Sequence, residues 1–390
     1  QQWGMKNILG QSTLLHHGYA AEVVANRNKV ERNLRLLEKA IEELQDEPNL
    51  LMSYGQELAR SGRFAAGLDQ YIEALRCLSA MPPAEVTPEL RETLLSQLTS
   101  HLMVAKSFQD VVNVWQTPVA KAADVTASQH FSLGLAYMEL KQPALAAEHM
   151  RQCLAKRNLP ALSPINREIL KAGPSHCLAL CHVALQETAP AAAAFQNAIA
   201  AEPQARAPRL DYARFLGENG KPIDALKWLN ELVSEKVDDL PAWLCGGQIA
   251  LSQAEFLPFA CDWTGEAVKH FPAHPAILLQ RAEALLLSQR TAEALPLWRD
   301  GRLPQNPRHA AARLLCEILL DETQLRFAPV HEEALSHETL KWCRRLIAVG
   351  ANDSVRLLQQ KIEIARAALP SFVAVWESAH KRAAASATPA

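Results

Sequence analysis

Residues 206–239 read RAPRLDYARFLGENGKPIDALKWLNELVSEKVDD, and this 34-residue stretch decides the fold. Compact side chains stand at its eighth, twentieth and twenty-seventh positions, which are Ala213, Ala225 and Leu232. Two antiparallel helices need such side chains where their backbones approach most closely, so the stretch predicts one helix pair. Three further segments place small residues at the same or neighbouring offsets and begin at Ala172, Leu240 and Pro275.

These segments follow one another at spacings of 34, 34 and 35 residues. The period and the small-residue pattern resemble the tetratricopeptide repeat. The resemblance implies an all-α fold, a right-handed superhelical solenoid of tetratricopeptide-like helix pairs. The remaining small residues of the pattern are Ala179, Ala191, Ala198, Gly247, Ala260, Ala267, Ala282, Ala294 and Gly301, of which Ala260 and Ala267 come one residue late.

The sequence predicts four consecutive parts. An N-terminal junction segment covers residues 1–28, with a possible short strand or arm over Asn7–His16. The solenoid follows over residues 29–320 and begins with a capping helix, because apolar residues recur on one helical face from Lys29 onward. Further helices continue or cap the solenoid over residues 321–380. The tail, residues 381–390, is Ala/Ser/Thr/Pro-rich and predicted to be disordered.

Composition and charge exclude several classes of protein. The chain has 40 Lys and Arg against 42 Asp and Glu, and the basic residues are scattered rather than arranged in the stripe of a nucleic-acid-binding solenoid. No apolar stretch approaches the length that spans a bilayer, and no signal peptide is visible. The eight cysteines lie singly in predicted helices, as in a reducing compartment. We therefore expect a cytoplasmic protein without nucleic-acid or membrane partners.

Candidate chemical sites are few. Cys177 and Cys181 share one helical face and could supply two zinc ligands, but no second pair follows at zinc spacing, so packed thiols are favoured. Phosphate-binding glycine loops, nucleophile elbows and zinc helices are all missing from the sequence. The paired carboxylates Glu42–Glu43 and Glu332–Glu333 are interpreted as solvated charges. We expect no catalytic residue, no metal and no cofactor in this chain.

The tetratricopeptide resemblance also implies a binding surface. In that family the first helices of the repeats line a concave groove that holds a polypeptide partner. The matching positions here are mainly apolar, which predicts hydrophobic anchors on the partner, with Arg214 and Glu283 as charges at the rim. Burial of the same leucines between neighbouring helices is the alternative. The predicted groove residues are Phe131, Leu135, Met138, Leu180, Leu210, Arg214, Leu244, Gln248, Leu279 and Glu283.

A second resemblance covers about residues 8–75. His16, Gly18 and Tyr19 match a His-x-Gly-Tyr element found where the catalytic domain of bacterial family 2 glycosyltransferases joins their tetratricopeptide repeats. A Lys-x-x-Arg-Asn-Leu pattern follows, as in those enzymes, and consists of Lys29, Arg32, Asn33 and Leu34. The resemblance implies that this chain corresponds to the non-catalytic, C-terminal region of such an enzyme. The Asp-x-Asp motif of the catalytic domain does not occur in the sequence.

The leading function predicted from the sequence is a protein- or peptide-binding scaffold that positions an acceptor polypeptide or mediates self-association. Two alternatives stay open. The chain could be part of an active family 2 glycosyltransferase whose catalytic domain lies upstream of Gln1, or it could be a free-standing adaptor of a bacterial complex. The sequence encoded upstream of Gln1 separates them.

Overall fold

The computed structural model describes residues 29–82, 85–159, 166–304, 306–321 and 332–386. Over these ranges the structure is 79% helical and contains no strand, which confirms the predicted all-α class. The junction segment with His16, Gly18 and Tyr19 and the possible strand Asn7–His16 lie outside the described residues. The chain divides into two compact units, Gln1–Pro203 and Gln204–Ala390.

The first unit is a series of helices in which neighbours along the chain pack against each other. Proline stands in the first turn of several helices, where its missing N–H costs no hydrogen bond and its fixed φ suits the helix. The helices are α1 (Lys29–Glu43), α2 (Pro48–Arg60), α3 (Phe64–Ala80), α4 (Pro88–Val104), α5 (Phe108–Trp115), α6 (Pro118–Lys121), α7 (Ala127–Glu139), α8 (Pro143–Lys156), α9 (Gly173–Ala184) and α10 (Thr188–Ala201).

The second unit continues the same arrangement of consecutive helix pairs, and its last five described helices lack the repeat pattern. Its helices are α11 (Arg206–Glu218), α12 (Pro222–Glu235), α13 (Leu240–Ala250), α14 (Leu257–His270), α15 (Pro275–Leu287), α16 (Thr291–Trp298), α17 (Pro307–Leu319), α18 (Glu332–Ala348), α19 (Asn352–Gln360), α20 (Ile362–Ala368) and α21 (Pro370–Ser386). The predicted repeat pairs are therefore α9–α10, α11–α12, α13–α14 and α15–α16.

The small residues of the pattern lie where the helices cross, as the sequence predicts. The six alanines at the first two offsets are completely buried, and so are Ala198 and Ala260. Gly301 is an exception, because it is exposed in the turn after α16, with nothing within 4 Å of the place where a Cβ would lie. The six alanines are Ala179, Ala191, Ala213, Ala225, Ala282 and Ala294.

The two irregular intervals have different structural causes. Between α13 and α14 a short 3₁₀ turn, Ala254–Phe256, adds the residue that delays Ala260 and Ala267 in the repeat beginning at Leu240. A second 3₁₀ turn, Arg167–Leu170, precedes α9 in the 45-residue interval between Ala127 and Ala172. Residues 160–165 of the same interval lie outside the described residues.

Two sequence interpretations need correction at the C-terminal end. Helix α21 continues to Ser386, beyond the boundary predicted at residue 381, because three alanines precede that serine and favour helix. Glu332 is not a solvated charge. Its carboxylate accepts hydrogen bonds from the Ser336 hydroxyl at 2.7 Å and from the Ser371 backbone N–H at 3.0 Å. It thereby caps the start of α21 from α18.

Three of the four tryptophans in the repeat pairs fill the core. Trp243, Trp263 and Trp298 are buried, whereas Trp228 is only half-buried and lies 5.8 Å from the guanidinium carbon of Arg209. Among the described residues, every helix is too short or too polar to cross a lipid bilayer.

Candidate binding surface and arginine pocket

The predicted groove residues of the first unit are half-buried and belong partly to its core. Phe131 on α7 packs against a small cluster that includes Cys153 and Ile169. Met138 packs against the cluster formed by α8 and α9. Leu135 on α7 and Leu180 on α9 are also half-buried. Because α7 and α9 contact each other, these side chains share one surface formed by first helices.

In the second unit the first helices α11, α13 and α15 also lie side by side. Arg214 and Gln248 are exposed, and Leu244 and Leu279 are half-buried, so these four residues are accessible to a partner. We call this surface, formed by Arg214, Leu244, Gln248 and Leu279, the first-helix face of the second unit. Leu210 is only 6% exposed, so it supports the face from below rather than lining it.

Hydrogen bonds between helices hold this face together. The amide nitrogen of Gln280 on α15 donates to the backbone carbonyl oxygen of Leu244 at 2.8 Å. The guanidinium of Arg214 pairs with Asp211 at 2.7 Å and lies beside the Cys245 thiol, where it partly offsets the burial that raises the pKa of that thiol. The spacing of α11, α13 and α15 is thus fixed by side chains that reach from one first helix to the next.

Asp239 is the best-anchored carboxylate of this region. It caps the start of α13 by accepting from the Ala242 backbone N–H at 3.0 Å, and it pairs with the guanidinium of Arg206 through both oxygens. Burial alone would raise the pKa of Asp239, but the hydrogen bonds from Arg206 and Ala242 lower it below its ordinary value. This carboxylate ties the start of one repeat to the start of the next.

Glu283 is not the rim charge that the sequence predicts. It is only 7% exposed, and its two carboxylate oxygens each accept from a different arginine. Arg308 on α17 donates at 2.6 Å and Arg345 on α18 donates at 3.1 Å. A buried carboxylate requires such partners, so Glu283 fixes both guanidinium groups and is withdrawn from direct contact with a partner.

Trp342 on α18 lies between the same two arginines. The guanidinium carbon of Arg345 is 4.8 Å from its ring centroid and that of Arg308 is 5.4 Å away, which are cation–π distances. The indole N–H donates to the backbone carbonyl oxygen of Arg308 at 3.0 Å, and the ring meets Trp298 edge-on. At 1% exposure Trp342 is a rigid support for both arginines.

These groups line an open cavity of about 540 Å³ between α17 and α18. Lys341 also lines it and pairs with Glu338 at 2.7 Å. We call this cavity the arginine pocket; its lining residues are Asn306, Pro307, Arg308, Glu338, Lys341, Trp342 and Arg345. Together with Glu283 beneath it, the pocket combines three cationic side chains with two carboxylates.

The sequence pattern did not predict this pocket, because Lys and Arg are scattered along the chain as a whole. One local signal was present, since residues 341–345 read KWCRR and concentrate three basic side chains around a tryptophan. No feature of the sequence near Lys341–Arg345 indicates that Arg308 joins the pocket, because Arg308 lies on a different helix.

The cysteines behave as buried apolar groups. Burial raises the pKa of Cys177 to about 12 and that of Cys181 to about 11, so both thiols are protonated at neutral pH. Among the described residues, one group of three potential ligands does come together, formed by Asp46, Glu73 and Cys77. The guanidinium of Arg76 bonds to Asp46 at 3.1 Å and to Glu73 at 2.6 Å, so both carboxylates of this group already have a cationic partner.

Comparison with known proteins shows that this chain is similar to solved structures of tetratricopeptide-repeat proteins. No protein-family model matches the chain, and no curated protein matches it. Among solved structures, a tetratricopeptide repeat protein from Parabacteroides merdae matches 69% of this chain and 98% of its own, with 14% identity and a TM-score of 0.47. The C-terminal part of a TPR repeat-containing protein from Cytophaga hutchinsonii matches 67% and 97%, with 10% identity and a TM-score of 0.44. YrrB, described as a TPR protein with an unusual peptide-binding site, matches 53% and 95%, with 14% identity and a TM-score of 0.42.

Proposed function

We propose that this chain is a scaffold that binds a polypeptide partner through the first helices of its repeats. The observation that carries the proposal is the first-helix face of the second unit, where the half-buried Leu244 and Leu279 lie beside the exposed Arg214 and Gln248. Apolar anchors flanked by a few polar groups suit a helix or an extended segment that contributes hydrophobic side chains. The proposal assigns binding, and no catalytic step, to this chain.

Rigidity supports a binding role for this face. Its helices are joined by hydrogen bonds between Gln280 and the Leu244 backbone and by the Asp239 carboxylate that bridges two repeats. A face held in place before binding loses less conformational entropy when the partner arrives. Leu135 and Leu180 give the first unit a comparable half-buried apolar surface.

The test is capture of the native partner by the double variant Leu180→Asp/Leu244→Asp. The matched control is Leu145→Asp/Ile223→Asp, which introduces the same charges at exposed aliphatic positions on the second helices α8 and α12. Purified tagged proteins are incubated with an extract of the cells that naturally produce the chain, and bound proteins are identified by mass spectrometry. Circular dichroism and thermal unfolding establish that both variants are folded.

We expect the wild type and the control to capture the same partner and the first-helix variant to lose it. Capture that survives in the folded Leu180→Asp/Leu244→Asp protein would place the partner on another surface and end the assignment. Equal loss in the Leu145→Asp/Ile223→Asp control would have the same consequence, because it would show that the effect does not depend on the first helices.

We further propose that the scaffold serves a bacterial family 2 glycosyltransferase and positions its acceptor polypeptide. The support is the ordered match of polar residues over about residues 8–75, part of which forms α1 with Leu34 buried. Reading the gene upstream of the Gln1 codon tests it. An in-frame domain with an Asp-x-Asp motif would support the proposal, whereas a start codon close to Gln1 would favour the free-standing adaptor.

A further inference from the structure

We propose that the arginine pocket between α17 and α18 binds a carboxylate group of an acidic polypeptide segment. This inference rests on the proposed scaffold function and names the chemistry of its partner. The pocket is lined by residues of α17 and α18, which follow the last repeat pair, and none of its lining residues belongs to the first-helix face.

The charge of the pocket favours one anionic group. Arg308, Lys341 and Arg345 contribute three positive charges, and Glu283 and Glu338 contribute two negative charges, which leaves a surplus of one. A carboxylate carries a single negative charge and would neutralise this surplus. A phosphate group carries nearly two negative charges at neutral pH and would leave one unbalanced beside two carboxylates.

The two arginines are held in place before any ligand arrives. Each donates through one nitrogen to the buried carboxylate of Glu283, and each guanidinium lies against the Trp342 ring. An immobilised guanidinium loses less side-chain entropy on binding than a mobile one, so its hydrogen bonds contribute more to affinity.

Hydrogen-bond donors remain for a ligand. A guanidinium has five N–H donors in a planar fork, and Glu283 engages one nitrogen of each arginine. The side chains of Arg308 and Arg345 are 50% and 32% exposed, so the solvent-facing part of each fork can reach a group in the cavity. Planar forks of this kind match carboxylate geometry. The ammonium of Lys341 lies on the wall of the same cavity.

The test measures binding of a synthetic peptide to the full chain by fluorescence anisotropy. The first probe is a short peptide of alternating glutamate and glycine with an amidated C-terminus and a neutral dye, and its comparison is the same peptide with glutamine in place of glutamate. A second probe of serine and glycine with a free C-terminal carboxylate distinguishes a terminal carboxylate from a side-chain carboxylate. All proteins are compared at equal ionic strength, because screening weakens such contacts.

Two variants in the pocket should weaken binding of the glutamate peptide, whereas a matched control outside it should not. Arg345→Gln should weaken binding of the glutamate peptide by about tenfold, the loss expected for one charge-assisted hydrogen bond. Lys341→Gln should weaken it by about two- to fivefold, the range of an exposed ion pair. The matched control is Lys227→Gln on α12, since Lys227 also pairs with a carboxylate three residues before it, Asp224. It should bind as the wild type does.

Glu283→Gln separates the charge of the pocket from the positioning of its arginines. The amide raises the surplus of positive charge from one to two but leaves one guanidinium without its carboxylate, so the dependence of glutamate-peptide binding on ionic strength should become steeper. An unchanged dependence on ionic strength in the folded variant would overturn the proposal, because the charge at Glu283 would then not act on the bound peptide. This variant and Lys341→Gln also cover the case in which Arg345→Gln fails to fold.

Binding of either carboxylate peptide with this variant pattern supports the pocket, and the better-bound probe identifies the source of the carboxylate. The proposal is overturned if the glutamate and glutamine peptides bind alike while the free C-terminus gives no binding. If the peptide experiment fails but capture of the partner still depends on Leu244, only the proposal for the arginine pocket is contradicted. If the Leu180→Asp/Leu244→Asp variant still captures the partner while the peptide binds the pocket as expected, only the assignment of the first-helix face is contradicted.

Discussion

The indole N–H of Trp263 donates to the backbone carbonyl oxygen of Trp243 at 2.9 Å, and the two ring centroids lie 4.6 Å apart. This contact between α14 and α13 requires the absence of a side chain at Gly246. A Cβ at Gly246 would lie 2.3 Å from the Trp263 ring, inside the distance that real Cβ atoms keep. The repeat beginning at Leu240 therefore packs a tryptophan directly on a helix backbone.

Gly246→Ala should lower the free energy of unfolding by about 1–3 kcal/mol through overpacking, even though alanine is the better helix former. The rigid indole cannot move aside without losing its hydrogen bond to Trp243. Chemical unfolding followed by tryptophan fluorescence measures the change. Gly301→Ala is the control and should be nearly neutral, since a Cβ there meets open space. Equal stability of both variants would contradict this packing.

Ala213→Leu or Ala225→Leu should each destabilise the chain by about 1–3 kcal/mol. Both alanines are fully buried where α11 and α12 cross, so a larger side chain has no space. Ala193→Leu on α10 is the matched control, because Ala193 is exposed on its helix. Differential scanning calorimetry provides the comparison. Unchanged thermal stability of both core variants would show that the repeat register is wrong.

Asp239→Ala should destabilise the second unit by about 1–3 kcal/mol, because it removes a helix cap and leaves the guanidinium of Arg206 without its partner. Asp238→Ala is the neighbouring control, and its exposed carboxylate should matter by less than about 0.5 kcal/mol. Urea unfolding of the two variants gives the difference. If the two substitutions lowered the free energy of unfolding equally, the contact of Asp239 with Arg206 would not contribute to stability.

The His130–His149 pair should make stability depend on pH. Their Nδ1 atoms lie 3.0 Å apart between α7 and α8, and burial, assisted by His149, lowers the pKa of His130 from 6.5 to about 4. His130 is therefore protonated below about pH 6.5 in the unfolded chain but only below about pH 4 in the folded chain. The free energy of unfolding should fall as the pH falls through this window, by up to about 1.4 kcal/mol per pH unit.

His130→Gln should flatten this dependence, measured by urea unfolding at several pH values between 4.5 and 7, a range chosen to lie roughly within the window. His337→Gln on α18 serves as the control, because His337 is exposed and should leave the slope as in the wild type. An unchanged slope in folded His130→Gln would remove His130 as the cause.

The repeat architecture could be predicted from the sequence because its determinants recur at a fixed period. Ala213 and Ala225 are informative since the same offsets are small in other repeats and all of these alanines are buried. The 3₁₀ turn Ala254–Phe256 corresponds to the one-residue displacement of Ala260 and Ala267 in the sequence pattern. Local spacing is therefore sufficient wherever a helix contacts its immediate neighbour along the chain.

The environment of Glu283 could not be predicted in this way. Its position within a first helix suggests an exposed charge, but its burial depends on Arg345, which lies 62 residues later in the chain. Helix α18 meets α15 through Arg345 and Glu283 and meets α17 through the Trp342 indole and the Arg308 carbonyl oxygen, and no periodic signal encodes either contact. Long-range ion pairs of this kind require the three-dimensional structure.

The most direct test of the scaffold function is site-specific photo-crosslinking in the cells that naturally produce the chain. A photoreactive residue replaces Gln248, which is exposed on the first-helix face, or Lys227, which is exposed on the second helix α12. We predict a covalent adduct with a polypeptide partner from position 248 and none from position 227. Adducts from position 227 alone, or from neither position while the partner is still captured, would contradict the account.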